Sequence, residues 1–207
     1  MVMDAPEGID AAEAIREAAE ERVRHERFRQ RAAIVIGLLA MLLAITGLGG
    51  ANATKEMLNA NIQASDTWSF YQAKTIRQTS NQLAAEELEA LLLTQPALSA
   101  DARAQIQQRI DGFRATVARY ESEPATGEGK QELLTRAAAF EQRRDRAGRQ
   151  DPNFDFAGAL YQIAIVLGSV SIVATSRRLL GLAIGLGVVA TVLMLNGFLL
   201  LVPLPIG

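Results

Sequence analysis

The sequence AAIVIGLLAMLLAITGLGGANAT occupies residues 32–54 and contains no charged side chain. Two further stretches, 156–176 and 179–207, are also free of charge. A helix needs about 20 apolar residues to cross the roughly 30 Å hydrocarbon core of a bilayer, where only hydrogen bonds within the helix satisfy the backbone. The three stretches therefore predict transmembrane helices at residues 32–54, 156–176 and 179–202, in an all-α membrane protein.

The remaining sequence divides into a charged N-terminal arm, 1–31, and a central segment, 55–155. The arm holds many good helix formers, which predicts either a helix running into the first span or a solvated arm. The central segment lacks the apolar–polar alternation of strands, and its pattern predicts helices at about 55–95, 99–122 and 128–150. We expect these helices to form a hairpin or a small coiled-coil bundle outside the membrane, between the first and second spans.

Apolar residues in the central segment recur at helical spacing. In the first predicted helix, a seven-residue repeat predicts a narrow, partly polar packing seam of Ile62, Ser69, Ile76, Leu83 and Ala90. The second predicted helix has a seam of Ile106, Ile110, Phe113, Val117 and Tyr120. The third has Leu133, Ala137, Phe140 and Ala147, interrupted by Arg144. Each helix is therefore expected to pack along one face.

Helix boundaries are predicted from proline and from residues that cap helices. Pro96 ends the first central helix, and Ser99 is a good N-cap for the second. The sequence Asp151-Pro152-Asn153 predicts a break or a kink before the second span. Three vertical helices would end at the wrong height for re-entry into the bilayer, so we expect the first central helix to bend or one helix to lie flat.

Arginines next to the apolar stretches indicate orientation, because positive side chains near a membrane helix are retained in the cytoplasm. Arg27, Arg29 and Arg31 precede the first span, and Arg177 with Arg178 links the second and third. Four arginines of residues 143–149 lie on the opposite side and weaken the bias. The balance predicts a cytoplasmic N-terminus and a central segment on the outer side of the membrane.

The predicted spans contain no ionisable side chain, which argues against a pump or a coupled transporter. Their polar and small residues predict packing between helices in lipid, where hydrogen bonds and close backbone approach drive association. The candidates for this packing are Gln162, Gly168, Gly181, Gly185 and Asn196. Packing within the hairpin of the last two spans and contact with a second chain both remain open.

Aromatic and charged residues are concentrated in QASDTWSFYQAKTIR, residues 63–77, which contains the only tryptophan. The candidate residues are Asp66, Trp68, Phe70, Tyr71, Lys74 and Arg77. On one interpretation the aromatics pack inside the helical segment while the charges face solvent. On the other, the aromatics and arginine form a partner-binding patch, since Trp, Tyr and Arg dominate interface energetics.

This segment, together with Asp155-Phe156 and LYQIAIVL at residues 160–167, resembles the bacterial membrane family called domain of unknown function 4337. The resemblance covers roughly residues 30–200. It implies a protein of the bacterial inner membrane with one span, a helical central segment in the periplasm and a terminal hairpin of two spans. It implies no activity, because none is established for the family.

No catalytic, cofactor-binding or metal-binding motif is found in the sequence, and cysteine is absent. We therefore predict a non-enzymatic membrane scaffold or accessory subunit without a cofactor. Its expected partners are membrane lipids and either further copies of itself or a larger membrane complex, with no nucleic acid and no small-molecule substrate. The alternatives are a membrane sensor whose outer helical region receives the input and, third, an oligomeric channel.

Overall fold

The computed structural model describes residues 5–203, with side chains from residue 15 onward. Four helices are found: α1 (Ala5–Thr94), α2 (Ala100–Glu121), α3 (Lys130–Val173) and α4 (Arg177–Leu199). No strand occurs within these described residues, so the all-helical class is confirmed. Residues 1–4 of the predicted arm and 204–207 of the last apolar stretch lie outside the described residues.

Three of the helices, α1, α3 and α4, are long and apolar enough to cross a membrane, judged by length and composition. In α1, the first apolar stretch is one part of a helix of 90 residues. The predicted boundaries near residues 31 and 54 are therefore not helix ends. Helix α1 also continues through Gly47, Gly49 and Gly50 without interruption.

Helix α3 likewise contains the last predicted central helix and the second apolar stretch in one element, with Pro152 inside it. The predicted break at this proline is wrong. Proline leaves the carbonyl of Gly148 without its helical donor, but the next carbonyl, that of Arg149, accepts a hydrogen bond from Asn153 Nδ2 at 2.9 Å. Asn153 and Phe154 are both buried, so tertiary packing holds the helix through a residue that ordinarily interrupts one.

The described chain forms two compact units: unit 1 comprises Met1–Thr54 and Gly148–Gly207, and unit 2 comprises Lys55–Ala147. In unit 2, Ser99 Oγ accepts a hydrogen bond from the Ala102 amide at 3.2 Å, which confirms the predicted N-cap. The predicted faces of α2 and α3 are buried or half-buried, and Ile110 and Leu133 are the large side chains fully enclosed in this unit.

The predicted seam of α1 in unit 2 is wrong. Its residues Ile62, Ser69, Ile76, Leu83 and Ala90 are all exposed. The buried positions of this part of α1 are instead Ala60, Ala64, Thr67, Lys74 and Ala85. The buried positions of α1 in this unit are thus mostly small, whereas Ile110 of α2 and Leu133 of α3 are large and fully buried, and helical cores commonly combine the two sizes.

Small residues also lie at the centre of unit 1. Its fully enclosed positions include Ala32, Ala157, Ala164, Ala183 and Ala190. Large apolar residues point outward from all three helices, among them Ile34, Leu38, Met41, Ile163, Val166, Val170, Leu182, Val188 and Val192. This inversion of the soluble pattern is typical of helices packed in lipid, where small residues permit close backbone approach and large ones face the acyl chains.

The Phe154 ring lies in a slot that glycines provide. An added Cβ at Gly49 would lie 2.6 Å from Cε1 of this ring, and one at Gly197 would lie 2.9 Å from the same atom. Phe198 closes the slot with its ring centroid 4.9 Å from that of Phe154 in an edge-on arrangement. The slot brings α1, α3 and α4 together at one end of unit 1.

The slot predicts opposite effects for two glycines of α1. Gly49→Ala forces the Phe154 ring to move, whereas an added Cβ at Gly47 meets nothing within 4 Å. Both substitutions replace glycine by alanine within α1 and gain the same helix propensity. The difference between their free energies of unfolding therefore measures the cost of the clash with Phe154. We expect the Gly49→Ala protein to be about 1–3 kcal/mol less stable than the Gly47→Ala protein. Thermal unfolding of both in one detergent, followed by far-ultraviolet circular dichroism, measures this, and equal midpoints would contradict the slot.

Candidate functional site

The six residues of the aromatic segment lie on α1 in unit 2, in different environments. Lys74 is buried, Trp68 and Tyr71 are half-buried, and Asp66, Phe70 and Arg77 are exposed. The structure therefore does not bring all six residues to one surface.

Lys74 is the buried charge of unit 2, with 4% of its surface exposed. Its ammonium lies 3.9 Å from Glu123 Oε2 and 3.5 Å from Glu128 Oε2. It also lies 5.2 Å from the Phe70 ring centroid and 5.6 Å from that of Tyr120. Carboxylates and aromatic faces together compensate a buried cation. We call these five residues the Lys74 cluster, which ties α1 to the connection between α2 and α3.

Trp68 and Tyr71 also make contacts within unit 2. Trp68 Nε1 donates to Glu141 Oε1 of α3 at 2.9 Å. The Trp68 and Tyr71 rings pack edge to face with centroids 5.6 Å apart. Lys130 Nζ lies 5.5 Å from the Tyr71 ring centroid and donates to Gln78 Oε1 at 2.9 Å. These contacts favour the packing interpretation for both aromatics.

Two carboxylates beside this region are held in their ionised form. Ser122 Oγ and the Glu123 amide donate to Glu132 at 2.7 and 3.2 Å, and the Ser122 bond is the main cause that lowers the pKa of Glu132. The bond from Gln78 Nε2 is the main cause that lowers the pKa of Glu121. Their contribution to stability is present above the ordinary pKa of 4.5 and is lost as the pH falls through the lowered values. Neither side chain is poised for proton transfer at neutral pH.

The exposed residues of α1 form a second feature, which we call the outer stripe: Ile62, Ser69, Ile76, Leu83 and Ala90. Its large members are well exposed, at 57% for Ile62, 68% for Ile76 and 53% for Leu83. Asp66 and Arg77 are also exposed, and neither takes part in an ion pair between residues that the structure describes. The sequence revealed the repeat of the outer stripe but not that it faces outward.

Two of the glycines and amides predicted to pack in the spans do so within unit 1. Gly168 is buried, and an added Cβ there would lie 2.9 Å from Ile36 Cγ1. Asn196 Nδ2 donates to Asn153 Oδ1 at 2.7 Å and to the Val202 carbonyl at 2.8 Å. Asn196 Oδ1 also accepts from the Val202 amide at 2.9 Å, so this side chain joins α4 to α3 and to the residues after α4.

The other predicted packing residues lie elsewhere. Gly181 and Gly185 are exposed, and nothing lies within 4 Å of an added Cβ, so neither packs within unit 1. Contact of these glycines with a second chain stays a prediction. Gln162 is exposed and lines a cavity of about 510 Å³ together with Thr54, Asp151 and other residues of unit 1.

Sequence reasoning missed one polar contact at the centre of unit 1. Tyr161 is fully buried, and its hydroxyl lies 2.8 Å from Thr191 Oγ1 of α4. Thr191 in turn donates to the Gly187 carbonyl at 2.7 Å. Tyr161 belongs to the motif at residues 160–167, and its hydroxyl was the available signal, since a buried tyrosine hydroxyl usually finds a partner.

The residues proposed for orientation fall into two sets. All five arginines are exposed, but Arg27, Arg31 and Arg177 line one groove and Arg29 and Arg178 do not. Among the side chains that the structure describes, no group of three His, Cys, Asp or Glu is placed to hold a metal ion.

The Lys74 cluster predicts different effects for two cations of α1. Lys74→Met keeps an apolar stem but removes the ammonium that Glu123 and Glu128 share, while Glu123 keeps Arg119 at 3.9 Å. Because these carboxylates are partly exposed, we expect a loss of about 1–2 kcal/mol in the free energy of unfolding. Arg77 is exposed and lies three residues away, so Arg77→Met should change the free energy of unfolding by less than about 0.5 kcal/mol.

Trp68 is the only tryptophan and lies in unit 2, so its fluorescence during urea unfolding in detergent reports on this unit. Equal losses in the two variants would show that Lys74 is not a special contact of the core.

A comparison with protein families matches residues 28–200 to a domain of unknown function, DUF4337. No curated protein and no solved structure matches the chain. The match covers most of the 207 residues, including the aromatic segment, the motif around Tyr161 and all of α2, α3 and α4. The chain belongs to the DUF4337 family.

Proposed function

We propose that the protein is a non-enzymatic scaffold of the bacterial inner membrane that assembles with a second copy of itself through the outer stripe of α1. In this proposal the three apolar helices cross the bilayer, the N-terminus is cytoplasmic and unit 2 lies in the periplasm. The observation that carries the proposal is the exposure of Ile62, Ile76 and Leu83 at multiples of seven residues along one helix.

The membrane location is supported by the pattern of side chains in unit 1. Large apolar residues on the outside of α1, α3 and α4 would be costly in water, at about 1.5–3 kcal/mol for each fully exposed side chain of the size of leucine. The core of unit 1 is formed without these residues, by buried alanines together with Leu39, Phe154, Tyr161 and Met194. A hydrocarbon solvent satisfies both observations.

The self-association step is supported by the spacing of the outer stripe. Unit 2 has its own core on the opposite face of α1, built around Ala60, Ala64 and Thr67. Apolar residues that repeat every seven positions match a partner helix with the same repeat, because heptads keep a seam in contact between two supercoiled helices. A second copy of α1 supplies such a helix.

Orientation in the membrane restricts the geometry of this pairing. Two copies inserted with the same topology present their α1 helices in parallel. In a parallel dimer each heptad position meets its own equivalent, so Ile76 of one copy faces Ile76 of the other. The proposal therefore predicts contact between identical residues.

A membrane sensor is the second candidate, and the continuity of α1 favours it. One helix contains described residues of the arm, the first apolar stretch and the aromatic segment. Such a helix offers a direct mechanical connection between an outer binding event and the arm. We rank it below the scaffold because the exposed apolar repeat of the outer stripe points to contact with another helix.

Cysteine cross-linking in native membranes tests the self-association, since the chain has no cysteine of its own. Ile76→Cys should give a disulfide-linked dimer upon mild oxidation. Gln82→Cys is the matched control, because residue 82 is exposed and lies about 120° around the helix from residue 76 at roughly 100° per residue. We expect several-fold more dimer from the first variant than from the second.

Three outcomes would overturn self-association through the outer stripe. These are absence of dimer from Ile76→Cys, equal dimer from both variants, and cross-linking of Ile76→Cys only to a chain of different mass. The last result would assign the outer stripe to a subunit of a larger complex.

A further inference from the structure

A groove of about 440 Å³ in unit 1 is lined by side chains of α1 and of the start of α4. From α1 it receives Arg24, Arg27 and Arg31, and from α4 it receives Arg177. The three α1 positions are spaced by three and four residues, which places them on one face of a helix. Four arginines from two separate elements therefore line one space, which we call the basic groove.

The described glutamates of α1 share cavities with some of these arginines but form no ion pair with them. None of the four takes part in an ion pair between described residues. Glu21 lines an adjoining cavity with Arg24, and Glu20 lines another with Arg24 and Arg27, but neither glutamate lines the basic groove itself. Like charges brought together repel each other, so an anion that enters the basic groove gains from all of them.

The other wall of the basic groove is apolar. Leu180, Gly181 and Ile184 of α4 line it, and Gly181 leaves open space where a side chain would otherwise project. Ile184 is exposed, and it lies in the apolar helix directly after Arg177. The groove thus offers arginines at one end and a hydrocarbon-compatible surface at the other.

We propose that the basic groove binds one anionic phospholipid, with its phosphate among the arginines and an acyl chain along the Gly181 face of α4. Arginine binds phosphate oxygens through two parallel hydrogen bonds. Basic pockets between membrane helices on the cytoplasmic side bind anionic headgroups by this chemistry. The apolar wall favours a lipid over inorganic phosphate, because inorganic phosphate has no apolar part that could contact this wall. The inference rests on the proposed membrane location and does not depend on the outer stripe.

The test uses the full-length protein in a neutral detergent, where no membrane orientation exists to be disturbed. Native mass spectrometry measures retention of phosphatidylglycerol, of zwitterionic phosphatidylcholine with the same acyl chains, and of inorganic phosphate. The groove variant is Arg27→Gln with Arg177→Gln. The control is Arg29→Gln with Arg178→Gln, which removes the same charge from adjacent exposed arginines that do not line the basic groove.

We expect tight binding of one phosphatidylglycerol, weakened about 10- to 30-fold in the groove variant and less than about 3-fold in the control. Phosphatidylcholine should bind weakly to all three proteins. If the affinity for phosphatidylglycerol fell equally in both variants, general surface charge would explain the binding, and the proposed lipid site would be contradicted. Inorganic phosphate that binds as tightly as the lipid would overturn the assignment to a lipid.

Failure of this proposal is distinguishable from failure of the scaffold. Cross-linking at residue 76 reports on the outer stripe, and neither double variant changes any residue of that stripe. If the cross-link forms and no phosphatidylglycerol is retained, only the proposal of a lipid site is contradicted. If the lipid binds and no cross-link forms, only the proposal of self-association is contradicted.

Discussion

The helices of this protein meet through small side chains, and most of its other features follow from that constraint. In unit 1, Ala32, Ala157, Ala164 and Ala190 are enclosed completely, while valine, leucine and isoleucine point outward. The Phe154 ring also fits between the helices, because Gly49 and Gly197 lack side chains at that place. The many large apolar residues that point outward support the proposed location in a bilayer.

Small residues also predominate at the buried positions of α1 in unit 2. Ala60, Ala64 and Ala85 are buried, and the isoleucines of the outer stripe are exposed. In the proposed periplasmic setting no lipid covers them, which is why we assign them to a partner helix. Lys74 is the exception on the inner face, and its ammonium is accommodated because Glu123, Glu128 and two aromatic rings surround it. The buried charge of unit 2 thus lies on a different face of α1 from the outer stripe.

Much of the fold could be predicted from local patterns. The three apolar stretches, the Ser99 cap and the packing faces of α2 and α3 all follow from residue spacing and capping chemistry. The inner face of α1 could not be predicted, because a search for large apolar residues at heptad spacing selects the stripe that faces outward. Continuation of α3 through Pro152 depends on contacts of Asn153 with Asn196 and of Phe154 with distant glycines, which no local pattern contains. The burial of Lys74 was equally hidden, since its carboxylates come from the connection between α2 and α3.

The central claim is that the outward apolar faces of α1, α3 and α4 contact hydrocarbon. A spin label at Val166→Cys tests it most directly, because Val166 is 61% exposed in the middle of an apolar stretch. In lipid vesicles the account predicts that molecular oxygen relaxes this label strongly and a water-soluble nickel chelate weakly, with the opposite order for a label at the exposed Arg119 of unit 2. A label at residue 166 that is as accessible to nickel as the one at residue 119 would contradict the account.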